Sequence, residues 1–94
     1  MSEKSDLTRK RIEERLRKEL DPLRIEIEDE TWKHEGHAAS GGGGHFKLLV
    51  VSDRFSGLSL ISRNRLVFDM LKDLMQTDIH ALSVKARTVQ ECEP

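Results

Sequence analysis

Histidine is the residue type in this sequence best suited to hold a metal ion, and the chain has four of them with one cysteine. His34, His37 and His45 lie near one another in the middle of the chain, and His80 lies far downstream. Imidazole is the commonest metal ligand in proteins, so His80 with His34 or His37 could bind zinc and leave one coordination position to water. The same residues could be half of a site that a partner completes, or four unrelated histidines, and their spacing leaves all three interpretations open.

Three arginines form a small basic group around the start of the predicted second helix: Arg54, Arg63 and Arg65. Together with Lys47 they could contact phosphate groups of a nucleic acid, or they could belong to a solvated helix end with local salt bridges. The formal net charge of the chain is −1, and no segment has the clustered cations that binding to a nucleic-acid backbone requires. Charge therefore gives a nucleic-acid partner little support.

Length and composition exclude several classes of protein. The 94 residues fit one small domain with a thin core. One cysteine excludes an intramolecular disulfide framework and a cysteine-only zinc site, and its place near the C-terminus gives a nucleophilic enzyme little support. The sequence has no apolar run of about 18 residues and no signal-peptide core, and its first twenty residues are too acidic for a transit peptide. We expect a non-enzymatic intracellular protein of the cytoplasm or mitochondrion, neither secreted nor bound to a membrane.

The spacing of apolar residues predicts the elements that would position these side chains. Leu7, Ile12, Leu16 and Leu20 have roughly helical spacing after an N-cap at Ser5-Asp6, and Pro22 ends this helix. Strict alternation or apolar runs predict strands at 23–28, 46–52 and 80–86, the second covered on both faces. A further helix runs from Ser59 or Ser62 to Gln76, and a short turn follows Thr88. Residues 32–45, with four consecutive glycines, form a long mobile loop.

The order of these elements predicts which ends of the strands meet. Successive strands joined by a loop pair most simply as an antiparallel hairpin, and a strand-helix-strand crossover is normally parallel. The third strand should therefore begin at the sheet edge where the second begins. That edge also carries the glycine-rich loop, so topology brings all four histidines to one edge of the sheet.

Several motifs, taken in order, resemble the BolA-like family over residues 7–91. They are His45-Phe46-Lys47, the stretch 51–59 (Val-Ser-Asp-Arg-Phe-Ser-Gly-Leu-Ser), Arg63-Asn64-Arg65-Leu66-Val67, His80-Ala81-Leu82-Ser83-Val84 and Arg87-Thr88. Asn64 stands where the family usually has histidine, and the four glycines differ from the usual loop. The histidine-containing loop is similar to that of the BolA1-like subgroup.

The resemblance implies an α+β fold, α-β-β-α-β-α, related to class II KH domains, with a three-stranded mixed sheet. It implies a domain over 7–91, a flexible N-terminus at 1–6 and a C-terminal tail at 92–94. It also implies a partner, a monothiol glutaredoxin, and a glutathione-linked two-iron two-sulfur cluster shared between the two proteins. Such complexes act in iron–sulfur cluster assembly or transfer, iron regulation and stress response.

In the family, the ligands on the BolA side correspond here to His80 and His37, with His34 as the alternative, and His45 is a structural residue at the strand start. We expect no cofactor in the isolated chain, which should be a monomer or a weak dimer. The second function that the resemblance allows is nucleic-acid-binding transcriptional regulation, through a surface of Arg63, Arg65, Lys47 and Arg54.

Overall fold

The computed structural model of the protein describes residues 3–31 and 44–92. Its first helix, α1, spans Glu3–Leu20. Ser5 and Thr8 are buried in line with Ile12, Leu16 and Leu20, because residues three and four apart share one helix face. The helix therefore begins inside the segment predicted to be flexible, residues 1–6. The predicted N-cap at Ser5-Asp6 is wrong, since packing of Ser5 extends the helix towards the N-terminus.

The buried stripe of α1 also differs from the predicted one at its N-terminal end. Leu7 is 49% exposed, whereas Thr8 is 2% exposed and takes the inward position. Asp21 follows the last helical residue, and its φ of 43° is in the left-handed region. The amide of Asp21 donates to the carbonyl of Arg17 at 3.2 Å. Pro22 follows, as predicted from its effect on the preceding residue.

Three strands form one mixed sheet: β1 (Arg24–Asp29), β2 (Gly44–Val51) and β3 (Ile79–Arg87). The strand order is β1-β2-β3, with β1 antiparallel and β3 parallel to β2. The predicted hairpin, the crossover and the α+β class are confirmed. Gly44 and His45, predicted as the end of the loop, belong to β2, and the rest of that segment, 32–43, lies outside the described residues.

In the described parts of the chain, helices cover one face of the sheet. Phe46, Leu48 and Val50 of β2 are at most 2% exposed and belong to the core that α1 and the helices of the crossover complete. On the opposite face the side chain of Lys47 is exposed. The prediction that β2 is covered on both faces is wrong, because its apolar run reflects a central position and one buried face.

The crossover between β2 and β3 contains two helices where one was predicted. A 3₁₀ turn at Asp53–Phe55 leads to α2 (Leu60–Met70) and α3 (Lys72–Thr77). The hydroxyl of Ser59 accepts from the amide of Ser62 at 3.1 Å and caps α2, so the helix begins at the first of the two predicted starts. Leu71, at the break, is fully buried, so the apolar pattern continues across the break and periodicity alone cannot detect it.

A short helix, α4 (Val89–Cys92), follows β3, where a terminal turn after Thr88 was predicted. The hydroxyl of Thr88 accepts from the amide of Glu91, and the Glu91 carboxylate accepts from the amide of Thr88 at 2.8 Å. This reciprocal capping box explains why a helix begins here. None of the helices in the described parts of the chain is long and apolar enough to span a bilayer.

Candidate functional site

Two of the four histidines meet at the edge of the sheet where β2 and β3 begin. The ring centroids of His45 and His80 are 5.0 Å apart, and the ring planes are tilted by 48°. His80 is exposed and His45 is half-buried. The prediction that parallel pairing brings histidines to this edge is confirmed for these two residues.

An irregularity in strand pairing places His80 beside His45. In the parallel register Gly44 pairs with Ile79 and His45 pairs with Ala81, so His80 is the additional residue on β3. A bulge of this kind turns a side chain away from strict alternation. A one-residue difference in register decides this contact, and the sequence contains no signal for it.

Backbone hydrogen bonds hold His45 at this edge. Its amide donates to the hydroxyl of Thr31 at 3.1 Å, and its carbonyl accepts from the amide of Glu30 at 2.7 Å. The amide of Gly44 donates to the carbonyl of Asp78 at 3.1 Å. We call the edge of the sheet that carries His45 and His80 the histidine edge. Thr31 and Gly44, which precede and follow the segment 32–43, both lie at this edge.

The predicted loop ligands, His37 and its alternative His34, lie outside the described residues. His45, which sequence analysis assigned a structural role, is the histidine that the described structure brings to His80. Within the described ranges, no three His, Cys, Asp or Glu side chains come together in a way that could hold a metal ion. A metal at the His45–His80 pair would take its remaining ligands from residues 32–43 or from a partner.

The lone cysteine lies far from this pair. His80 is the second residue of β3, and Cys92 is the last residue of α4, beyond the other end of that strand. An extended strand rises about 3.3 Å per residue, so the seven steps from His80 to Arg87 cover roughly 23 Å. Cys92 is exposed and is not part of a disulfide, and at this distance it cannot share a metal ion with His80.

Arg63 does not belong to an exposed basic surface, contrary to the prediction. It is 6% exposed, and its guanidinium donates to the carbonyls of Leu58 and Ala86 at 3.0 and 3.1 Å. The same group forms a two-pronged ion pair with the carboxylate of Glu91, with the shorter contact at 2.6 Å. The side-chain hydrogen bond from Arg63 lowers the pKa of Glu91 to about 2. Arg63 therefore joins α2, β3 and α4 from the inside.

The other predicted cations are exposed, but they do not form one surface. Lys47 lies on the open face of the sheet, whereas Arg65 is on the outer side of α2, which packs on the covered face. Arg54 is exposed in the 3₁₀ turn between them. Asn64, where the family usually has histidine, is exposed on α2, so this difference changes the surface and not the core.

One family model matches most of the chain. A model of BolA-like proteins matches residues 16–91, and the chain belongs to the BolA-like family. The structure of BolA1 from Arabidopsis thaliana is similar, with a TM-score of 0.79 and 38% identity, and the match covers 89% of this chain and 94% of that one.

Two relatives place the domain in different protein contexts. SufE-like protein 1, chloroplastic/mitochondrial, from Arabidopsis thaliana is 47% identical over an alignment of 87 residues, and the match covers 86% of this chain and 24% of that protein. The DNA-binding transcriptional regulator BolA of Escherichia coli is 37% identical over an alignment of 87 residues, and the match covers 93% of this chain and 81% of that protein. The chain thus spans about a quarter of the length of the first relative.

Proposed function

We propose that this chain is a non-enzymatic adaptor that pairs with a monothiol glutaredoxin. Together with glutathione, the two proteins would share a two-iron two-sulfur cluster, in cluster assembly or transfer or in iron regulation. The observation that carries the proposal is the exposed His80, held on a bulge beside His45 at the edge where the segment 32–43 begins and ends. Membership of the BolA-like family supports it.

The chemistry of the donor set fits half of a cluster site. The chain offers imidazoles at the histidine edge, and its one thiol lies beyond the far end of β3, so thiolate ligands come from the partner. Two imidazoles on one iron raise the reduction potential of a cluster relative to ligation by thiolates alone, as in Rieske centres. Neutral imidazole binds metal and loses it on protonation, which makes the complex sensitive to pH.

On the side of this chain, His80 and His37 are the proposed ligands, with His34 as the alternative. The contact between His80 and His45 adds a competing choice for the second ligand. His45 is half-buried, and its backbone is hydrogen-bonded to Thr31 and Glu30. The substitution His45→Ala should therefore also affect the packing beside Thr31, where the segment 32–43 begins. The three candidates for the second ligand can be separated by single substitutions.

The test is a titration of the chain with a cluster-loaded, glutathione-bound monothiol glutaredoxin, followed by visible absorption and circular dichroism. We expect a heterodimer with a spectrum different from that of the glutaredoxin alone. His80→Ala should abolish the difference, and one of His37→Ala, His34→Ala or His45→Ala should change it. Asn64→Ala, at an exposed position on α2, is the control. Identical spectra for His80→Ala and the wild type would show that the ligand assignment is wrong.

We infer that the chain works inside the cell, in the cytoplasm or a mitochondrion. Its relative SufE-like protein 1 is named as chloroplastic/mitochondrial, and a sequence with one cysteine, which has no intramolecular disulfide, is compatible with a compartment that keeps thiols reduced. A fluorescent fusion at the C-terminus, imaged with organelle markers, tests the location. Secretion of the fusion would contradict it.

A second candidate function is DNA-binding regulation, favoured by the name of the Escherichia coli relative. Arg65, Lys47 and Arg54 are exposed, whereas Arg63 is buried in its ion pair. This hypothesis therefore predicts DNA binding that weakens with salt and on removal of Arg65 or Lys47. No binding to duplex DNA at about 50 mM salt in a mobility-shift assay would contradict it, since electrostatic binding is strong at low salt.

A further inference from the structure

The strand β3 has a neighbour on only one of its two sides in the described sheet. The strand order is β1-β2-β3, so β3 pairs with β2 on one side and is an edge strand on the other. It is also the longest strand of this sheet, with nine residues. The outward backbone groups of an edge strand are available to a strand of another chain.

Hydrogen bonds at the end of β3 show which of its residues point outward. The carbonyl of Arg87 accepts from the amide of Ser52, directly after β2, at 2.9 Å. In a parallel pair, residues that bond to the neighbouring strand alternate with residues that point away from it. Counting back from Arg87, the outward residues are Ala86, Val84 and Leu82.

Two of these outward residues have backbone groups open to a partner. The carbonyl of Ala86 accepts from the guanidinium groups of Arg63 and Arg87, which closes the edge at that end. Within the described ranges, no hydrogen bond outside the pairing with β2 reaches the backbone of Leu82 or Val84. Each of these two residues therefore offers one amide and one carbonyl to an added strand.

The apolar side chains beside this edge are incompletely covered. Leu82 and Val84 lie on the face of the sheet that packs on the core, yet both are only half-buried. Leu48, which pairs with Val84 on β2, is 1% exposed. The helices thus cover the centre of the sheet and leave the outer side of β3 partly open. An added strand with apolar side chains would remove more of this surface from water.

On the open face of the sheet, the side chains beside this edge are basic. Lys85 is exposed, and neither Lys85 nor Arg87 forms an ion pair with another described residue. The opposite edge strand, β1, instead carries the exposed Glu26 and Glu28. Opposite charges on neighbouring strands stabilise their pairing and like charges destabilise it. An acidic strand is therefore attracted to β3 and repelled by β1.

We propose that the outer edge of β3 binds an extended peptide segment of a partner protein, in which apolar and acidic residues alternate. The peptide backbone pairs with Leu82 and Val84, its apolar side chains cover theirs, and its carboxylates face Lys85 and Arg87. Backbone hydrogen bonds supply the affinity of such a complex, and alternate side chains supply its specificity. This interaction requires neither a cluster nor a glutaredoxin, so its failure and that of the proposed function are separate results.

A synthetic peptide tests the proposal: acetyl-Glu-Val-Glu-Val-Glu-Val-Glu-amide, titrated into the isotope-labelled full chain at low salt. We expect saturable binding, with slower amide hydrogen exchange at Leu82 and Val84. The amides of Ser83 and Lys85 face β2 and should keep their exchange rates, which makes them the internal control. A peptide of the same composition, with its four glutamates before its three valines, should bind about fivefold more weakly, because it cannot place carboxylates and apolar groups on opposite faces.

Methylation of the peptide backbone separates strand pairing from attraction between charges. In an antiparallel pair the valine amides of the peptide face the edge of β3, and in a parallel pair the glutamate amides do. Methylation of one of these two sets should weaken binding about tenfold or more, because it removes hydrogen bonds, and methylation of the other set should have little effect. Equal effects of the two methylations would overturn the proposed pairing.

A charge reversal in the protein tests the basic side of the edge. Lys85→Glu should weaken binding of the peptide about fivefold, because it places like charges opposite each other. Lys10→Glu is the matched control and should leave binding unchanged, since Lys10 is exposed on α1, which packs against β1. Absence of binding at millimolar peptide, or unchanged exchange at Leu82 and Val84 under saturation, would overturn the proposal. Displacement of the peptide by an oligothymidylate of equal charge would do so too, since it would show a surface for polyanions in general.

Discussion

The guanidinium of Arg63 joins three segments of the chain, and its removal is the sharpest test of the fold described above. It donates to the carbonyl of Leu58 before α2, to the carbonyl of Ala86 in β3 and to the carboxylate of Glu91 in α4. We propose Arg63→Met, which keeps the length and apolar stem of the side chain and removes its charge and donors.

The expected loss of stability depends on whether each hydrogen-bond partner of Arg63 can find another partner once the guanidinium is removed. The Leu58 carbonyl loses its donor from Arg63, whereas the Ala86 carbonyl keeps a bond from Arg87 at 3.0 Å. The side chain of Glu91 is 40% exposed and can turn to water. A hydrogen bond to a charged group contributes about 1.5–3 kcal/mol, and the low exposure of Arg63 prevents water from replacing it fully. We expect a loss of about 2–3 kcal/mol of unfolding free energy, the cost of about one such bond.

Thermal unfolding followed by circular dichroism measures this loss. For a domain of this size, 1 kcal/mol corresponds to about 4–8 °C, so the Tm of Arg63→Met should fall by about 10–20 °C. Arg17→Met is the matched control, because Arg17 forms an exposed ion pair with Glu13, and such pairs contribute about 0.3–0.5 kcal/mol. If both variants lose the same small amount, Arg63 is not the internal link that its contacts indicate.

Three further predictions concern other parts of the fold. Hydrogen bonds from Arg63 and Arg15 lower the pKa values of Glu91 and Asp73 to about 2. The unfolded chain therefore takes up protons first, stability falls as the pH drops from about 5 towards 2, and urea unfolding of Glu91→Gln should show a smaller fall. Asp21→Gly should raise the unfolding free energy by about 0.5–1 kcal/mol, because glycine adopts the left-handed conformation without strain, and Asp21→Ala, which keeps that strain, should give no gain. Gly44→Ala should lower the Tm, because the new methyl group would overlap the buried ring of Phe46; an unchanged Tm would show that the ring can move aside.

The sequence by itself determined the order of the strands and of the segments that join them, and the directions of the strands. It also placed His80 at the edge of the sheet where β2 begins. These features depend on local rules: the period of apolar residues, the effect of Pro22 and the geometry of a strand-helix-strand crossover. The motifs that resemble the BolA-like family are also local, which is why they identified the family before the fold was known.

Only the tertiary structure decided what several of these residues contact. From the sequence, an arginine on a helix is expected to be an exposed cation. The structure instead places the Arg63 side chain between α2, β3 and α4. The apolar run of β2 does not reveal that one face of the sheet is open, because a central strand with one buried face can have nearly the same composition. The contact between His45 and His80 depends on one additional residue in the register of β3. Register is set by contacts between segments that are distant in the sequence, so a local sequence pattern does not predict it.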